Sequence, residues 1–277
     1  MTQPILSLVT ICFKNPRELE QTLLSVKNHY DPEAMELVVV DGSPNNSCQR
    51  VLLKHPWVDR VIHEEDDGRY DAMNKGASFA QGSHLIFLNS GDFLYPKLNA
   101  TEVLKKLSAP ESDNKIFFGD TIKKIGSHYF LQHCASSVTR KDFARDTAPC
   151  HQSVIIPKSY FEKNLYNTKL SVSADTALMI DAFETLPSEH LGCVISVFSL
   201  GGVSNNWTSL SQLYNHHVES TKARNLPTIR SHIALLKKLI KFPLVKYLGV
   251  ESYYLLSYMA KPKKNKYVRF CNMHNKS

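Results

Sequence analysis

Apolar positions are distributed along this chain in three different rhythms. Residues 5–12, ILSLVTIC, form a short and nearly continuous apolar run, as expected of a strand buried on both faces. Asn15-Pro16 then marks a helix start, with Leu19, Leu23 and Val26 at helical spacing. A second buried run, MELVVVDGS (35–43), ends in Asp41-Gly42, and Val58–His63 is a weaker third strand. Tyr70–Ala80 suits a helix and HLIFLN (84–89) a fourth strand. Strands alternating with helices at this spacing predict βαβ units and an α/β fold, with a mainly parallel sheet flanked by helices. In such sheets ligands bind at the carboxyl ends of the strands, where Asp41 and the turn 89–92 fall.

Beyond residue 92 the rhythm loosens. Lys115–Ile122 and Ser127–Leu131 read as a hairpin around Ile125-Gly126, and HQSVIIP (151–157) as another strand. Ser173–Ala182 is helical in pattern with Ser173 as its N-cap, and Val194–Leu200 is a last strand before the turn Gly201-Gly202. After Leu210 the composition shifts. Ile229, Ile233, Leu236 and Ile240 share one helical face, and Lys237, Lys238 and Lys241 lie off it. Four tyrosines follow among aliphatics in 242–259, and KPKKNKYVR (261–269) is a basic cluster.

Charge sharpens that division. The 277 residues carry a formal charge of +7, yet residues 222–277 hold thirteen Lys or Arg and one acid, Glu251. The remainder holds twenty Lys or Arg and twenty-five acids, so it is mildly acidic. We therefore divide the chain into a main domain, 1–210, and a basic, mainly helical extension, 211–277. The six cysteines are scattered without a CxxC pair, which argues against a zinc site and for a reducing compartment. No stretch approaches a membrane span and the first residues lack a basic leader, so a cytoplasmic location is expected.

The polar span DGRYDAMNKG (67–76) and the turn ending LIFLNSGD (85–92) concentrate the candidate chemistry, with Gly68 and Gly76 read as turn glycines. Asp41 at a strand end could accept from a base or ribose, or cap the next helix. Asp92 delivers a hard oxygen to the ligand edge, as Mg²⁺ or Mn²⁺ on a diphosphate requires, or is an ordinary turn residue. Asp175 in SADTALMI could be a general base, or simply favour a helix start. His151-Gln152 could do acid–base work or be structural. Asp71, Asn74 and Lys75 could contact phosphates and sugar hydroxyls, or form a solvated helix face.

Taken in order, LSLVTICFKNPRELEQTLLSV, ELVVVDGSPN, DGRYDAMNKGASFAQGSHLIFLNSGD, APCHQSVII, SADTALMI and GGVSNN resemble the family 2 glycosyltransferases over residues 5–206. Those are inverting enzymes with the GT-A, Rossmann-like fold, and YDAMNKG followed by LNSGD is most similar to transferases of bacterial surface polysaccharide assembly, of the colanic acid and O-antigen type. The resemblance implies that Thr10, Asp41, Asp67, Gly68, Asp71, Asn74, Lys75 and Asn89 line a nucleotide-sugar pocket. It implies Asp92 as the ligand of a divalent Mn²⁺ or Mg²⁺ on the donor diphosphate, and Asp175 as the base, with His151 and Gln152 near the reacting sugars. A nucleoside-diphosphate sugar, UDP- ahead of GDP-, would be the donor and a glycan, lipid-linked or free, the acceptor. Asn89-Ser90-Gly91-Asp92 keeps only the final acid of the family's metal motif, with Asp67 a candidate helper. Met73 stands where many relatives carry arginine, and Arg69 and Lys75 are candidate replacements.

The basic extension lies outside the resemblance. Its Ile/Leu face, tyrosines and lysines suit a helix at the inner face of the cell membrane, or helices packed on the catalytic domain. Nucleic-acid binding is not expected, because no recognised module accompanies the charge. Two other functions compete: a sugar nucleotidyltransferase, though a Gly-rich basic phosphate loop is missing, and a non-catalytic scaffold recruiting partners through the tail.

Overall fold

The computed structural model describes residues 3–145, 147–200, 209–225 and 227–260 and the backbone strand 265–268. The expected turn Gly201-Gly202, the segment GGVSNN and lysines 261, 263 and 264 lie outside the described residues. The chain opens with β1 (Leu6–Cys12), α1 (Pro16–Lys27), β2 (Met35–Asp41), the short α2 (Gln49–Leu52), β3 (Arg60–His63), α3 (Arg69–Phe79) and β4 (His84–Phe87). Then come β5 (Phe93–Leu94), α4 (Ala100–Leu107), β6 (Ile116–Ile125), β7 (His128–Gln132), α5 (Arg140–Arg145), β8 (Val154–Pro157) and α6 (Lys158–Phe161). α7 (Ala174–Thr185), β9 (Ser188–Ser199), α8 (Leu210–Arg224), α9 (Thr228–Leu248), α10 (Val250–Met259) and β10 (Asn265–Val268) complete it.

One twisted sheet carries the order β3-β2-β1-β4-β8-β6-β7-β10, with β9 parallel to β6 and β5 antiparallel to β9. β3, β2, β1 and β4 run parallel, and the later strands add antiparallel pairs. Helices cover both faces, which is why β1 and β2 read as continuous apolar runs. Leu8, Leu37 and Val39 face Leu19, Leu23 and Val26 of α1, whereas Val9 and Val38 pack with Tyr70, Met73 and Ala77 of α3. The chain moves outward from β1 to β2 and β3, then returns to the other side of β1 as β4. That reversal opens a crevice at the carboxyl ends of β1 and β4.

Several expectations need correcting. Gly76 is no turn glycine: it lies inside α3, where an added Cβ would come within 2.3 Å of Val9 Cγ1. The glycine lets helix and strand approach; only Gly68, at φ +107°, marks a turn. The run 151–157 begins as a 3₁₀ turn, His151–Ser153, and becomes strand only at Val154. Ser173 occupies the N-cap position of α7 but makes no side-chain cap bond. β9 starts at Ser188, six residues before the apolar signal, because its backbone is recruited by β6 through a bulge near Asp120.

α9 departs most from its pattern. Lys238 and Lys241 turn inward and are half-buried, while Ile229, Leu236, Ile240 and Leu244 on its outer side are exposed. α8 packs on α7 and α9, and α10 reaches β6 and β10. Among the described residues, no helix is long and apolar enough to cross a membrane.

Candidate functional site

The turn after β4 is held from two sides. Thr22 of α1, fully buried, donates its hydroxyl to the Asp92 carbonyl at 2.8 Å and accepts the Gly91 N–H at 2.9 Å. Ser199, at the end of β9, donates its hydroxyl to the Gly91 carbonyl at 2.6 Å. Gly91 itself sits at φ +98°, a conformation that favours glycine. This framework aims Asp92 into the protein, where its carboxylate is 5% exposed. One oxygen accepts Ser199 N–H and the other Gln152 Nε2, each at 3.0 Å. Burial pushes the Asp92 carboxyl up to about 7, although those two donors and Lys123 pull it down.

Two further oxygens share that turn. Asn89 Oδ1 and Ser90 Oγ are buried without a hydrogen-bond partner. Such groups are costly unless a ligand or water satisfies them. With Asp92 they offer hard oxygen donors, the chemistry that Mg²⁺ and Mn²⁺ select. The turn therefore fits a divalent ion whose other ligands are phosphates and water. Among the described residues, two other groups could hold a metal: Cys12, Asp41 and Cys48, and Asp120, Cys134 and His190. The first shows that scattered cysteines can converge, since the β1–β2 register sets Cys12 beside Asp41. There the hydrogen bond from Cys12 pulls the Cys48 thiol down to about 6.

A cleft enclosing about 1310 Å³ is lined by Asn89, Asp92, His151, Gln152 and Asp175 together. Asp175 lies in the first turn of α7, and one oxygen accepts Tyr70 OH at 3.1 Å and Thr176 N–H at 2.7 Å. Tyr70 stacks on Tyr166 with centroids 5.7 Å apart, and the Tyr166 hydroxyl meets His151 Nε2 at 2.7 Å. His151 also stacks on Phe87, and burial lowers its pKa, which favours the neutral imidazole. Gln152 accepts the Cys150 thiol while donating to Asp92, so its amide orientation is fixed. Tyr70 and Tyr166 were missed by sequence reasoning. Tyr70 stood inside the quoted motif without a role assigned to it, and Tyr166 comes from a loop without a motif.

The remaining candidates gather apart from that cleft. Asp41 is fully buried at the end of β2, where it accepts Ser43 N–H at 3.0 Å and faces His63 Nδ1 at 3.1 Å. Thr10 is also buried, its hydroxyl unpartnered. Asn74 clamps the Tyr166 backbone through both its amide atoms at 2.9 Å, which positions Tyr166. Asp71 accepts Asp67 N–H and pairs with Lys75, which also reaches Glu64. Asp67 and Gly68 are exposed. Its neighbour Asp66, unassigned in the sequence, is the acid that covers the Asp41-Gly42 turn. A Cβ on Gly42 would fall 1.7 Å from Asp66 Oδ2, and Asp66 also accepts Gly68 N–H. Phe13, more than half exposed after β1, offers an aromatic face near Ser43, to which Lys14 N–H donates.

Residues 7–182 match the family model for glycosyl transferase family 2. A PGL/p-HBAD biosynthesis glycosyltransferase of Mycobacterium tuberculosis is 29% identical over 178 residues, covering 61% of this chain and 68% of that protein. An uncharacterized glycosyltransferase of the same species is 27% identical over 206 residues, covering 73% of this chain and 78% of that one. Among solved structures, Staphylococcus aureus TarS 1-349 in complex with UDP-GlcNAc is similar with a TM-score of 0.58 at 16% identity. That likeness covers 85% of this chain and 71% of the TarS fragment. Against a longer TarS chain, 43% of that chain is spanned, with a TM-score of 0.56 and 14% identity.

Proposed function

The chain belongs to glycosyl transferase family 2 and has its GT-A fold, and from that premise we propose that it moves a sugar, with inversion, from a nucleoside-diphosphate sugar to a hydroxyl of a glycan acceptor. The observation that carries this reading is the shared cleft. The buried Asp92 with its two unpartnered oxygen neighbours and the first-turn Asp175 both line it. The donor's base and ribose fit the Asp41, Asp66 and Thr10 end, and UDP is the favoured nucleotide, as in the TarS complex.

Asp175 takes the proton from the attacking hydroxyl, and the Tyr70 hydroxyl, donated to it at 3.1 Å, fixes its orientation. Attack from the face opposite the leaving diphosphate converts an α-linked donor into a β-linked product. Asp92, Asn89 and Ser90 would hold a divalent ion, Mn²⁺ or Mg²⁺, which when bound neutralises charge on the departing diphosphate. Gln152 keeps Asp92 aimed, and neutral His151 braces Tyr166 and through it Tyr70.

The acceptor in this reading is lipid-linked, as in surface polysaccharide assembly, and residues 211–277 form the acceptor-side extension of a 1–210 catalytic domain. Among the described residues, twelve of the eighteen exposed large apolar side chains lie between Leu210 and Met259, which supports contact with the inner face of the cell membrane. Calorimetric titration of UDP and GDP with and without Mn²⁺ tests the core of the proposal. Metal-dependent UDP binding that is lost in Asp92→Ala is expected, and Asp175→Asn should bind UDP while losing hydrolysis or transfer of UDP-sugars. A folded protein that binds neither nucleotide would overturn it.

A further inference from the structure

Amphipathic helices ordinarily turn their apolar side to the protein and their lysines to water. α9 does so only in part: Val245 is buried on its inner side, but lysines share that side and a row of Ile and Leu stays outside. Its outer side shows Ile229 at 74%, Leu236 at 59% and Ile240 at 58% exposure, with Leu244 and Tyr247 continuing the stripe. Its inner side sends Lys238 and Lys241 into the cleft that Asp92 and Asp175 share. Packing alone gives no reason for this orientation, because burying lysines and exposing isoleucines both cost free energy in water.

The cleft wall is correspondingly positive. Among the described residues that line it are eight Lys or Arg and three acids, Glu18, Asp92 and Asp175. The cations crowd at one end. Arg224 of α8 donates to Ser220 and to the Phe143 carbonyl, Lys238 Nζ lies 2.8 Å from His216 Nδ1, and Lys241 contacts the Tyr254 hydroxyl. Burial and then the neighbouring Arg224 and Lys241 pull the Lys238 ammonium down to about 8. Burial and Lys238 likewise pull His216 down to about 4. Positive groups are thus held close enough to repel one another, an arrangement that an anion relieves.

The position of this cluster separates it from the donor diphosphate. α8 packs on α7, whose first turn carries Asp175, and Glu219 of α8 accepts the backbone N–H groups of Ser171 and Val172, just before that turn. The cations therefore stand on the side of the base, where the acceptor hydroxyl must arrive. Asp92 stands in the turn between β4 and β5, which is tied to α1 rather than to α8.

We propose that Lys238 and Lys241 of α9, with Arg224 of α8, bind the phosphate of a lipid-diphosphate-linked acceptor, while the outward apolar face of α9 rests in the bilayer that carries its lipid. This deepens the transferase reading and rests on it. One ligand explains both sides of this helix: the phosphate lies at the membrane surface, with the lysines behind it and the hydrocarbon beside the exposed Ile and Leu stripe. Arginine and lysine donors suit a phosphate with several acceptor oxygens.

The test uses the full chain in EDTA, so that no divalent ion contributes, with geranyl diphosphate and inorganic pyrophosphate as probes. Geranyl diphosphate should bind more tightly than pyrophosphate. The Lys238→Gln, Lys241→Gln pair should weaken it by about tenfold or more, the loss of two charge-assisted contacts. Lys241→Arg should retain binding, and matched thermal melts confirm that each variant is folded. Equal affinity for the two probes would overturn the lipid half. Binding by neither, or unchanged binding in the double variant, would overturn the phosphate site. A loss in Asp92→Ala as large as that in the lysine pair would assign the cations to the donor instead. Mn²⁺-dependent UDP binding, measured beside these, should stay within about twofold in the lysine pair, since neither lysine touches the Asp92 turn and charges across an open cleft are screened. Its absence in the wild type would sink the transferase reading without touching the anion result.

Discussion

Asp92→Asn should make this protein more stable at pH 8 while removing its metal-dependent nucleotide binding. The carboxyl titrates near 7 in the folded chain against an ordinary 3.8, and burial is the leading cause. A carboxyl raised in this way takes up a proton on folding between those two values. Stability therefore falls as pH rises through the window from about 4 to 7, and levels off above it. The full cost of keeping the ionised group buried is on the order of 4 kcal/mol at pH 8, and less than half of that remains at pH 5.

The amide removes that cost but not for free. Ser199 N–H can still donate to its oxygen, whereas Gln152 Nε2 would meet a donor and must turn over, giving up the Cys150 thiol bond. A thiol is a weak donor, so the rearrangement costs about 1–2 kcal/mol. The net gain should be about 2 kcal/mol at pH 8, or roughly 4–8 °C in melting temperature, and close to nothing at pH 5. Thermal melts followed by circular dichroism at both pH values measure it. Mn²⁺ should raise the wild-type melting temperature and leave the variant unchanged. A variant destabilised equally at both pH values would refute the reasoning, because Asp92 would then act as a structural anchor rather than a charge held in place for a ligand.

Three further outcomes follow from the same packing and hydrogen bonds. Gly76→Ala should destabilise by about 1–3 kcal/mol, since its Cβ would meet Val9 Cγ1 at 2.3 Å and Val40 Cγ2 at 3.2 Å, and Val9→Ala should restore part of the loss in chemical denaturation. Tyr70→Phe should lower kcat for UDP-sugar turnover about tenfold with donor KM unchanged, because one hydrogen bond to a carboxylate is lost while Asp175 remains. Asp66→Ala should weaken UDP binding with little change in stability, whereas Asp67→Ala, exposed and engaged through its backbone N–H, should leave both unchanged in the same titration and melts.

The N-terminal half of the fold was legible because burial on both faces leaves unbroken apolar runs, as in β1 and β2. Asp92 and Asp175 were legible because each sits at a boundary, one ending a strand and one beginning a helix, where a polar residue in an apolar setting stands out. What escaped depended on three-dimensional contact without a local signal. Tyr166 is positioned by Asn74 from 92 residues away. Choosing between Asp66 and Asp67 required the left-handed turn at Gly68, which orients one acid onto Gly42 and leaves the other in water. Residues 188–193 alternate too weakly to read as strand, yet β6 supplies their hydrogen bonds. The helical spacing of Ile229 to Ile240 was visible, but periodicity is blind to which side of a helix meets the protein.

The two acids that line the cleft are mounted in opposite ways, and the difference suits the roles proposed for them. Asp92 is over-determined: Thr22, Ser199 and Gln152 fix its turn and both its oxygens from three separate elements. An ion-binding edge needs such rigidity, because displacement of a ligand oxygen by a fraction of an ångström weakens coordination. Asp175 is half-buried, and among the described residues the donors Tyr70 and Thr176 both meet the same one of its two oxygens. A base must receive a proton from an incoming hydroxyl, so one oxygen has to face the space the acceptor enters. Its orientation comes from Tyr70, and its loop is tied by Glu219 to the helix that also carries Arg224. An acceptor phosphate drawn to Arg224 and Lys238 would thus pull on the same helix that clamps the approach to the base, so that seating the acceptor and ordering its base are one event.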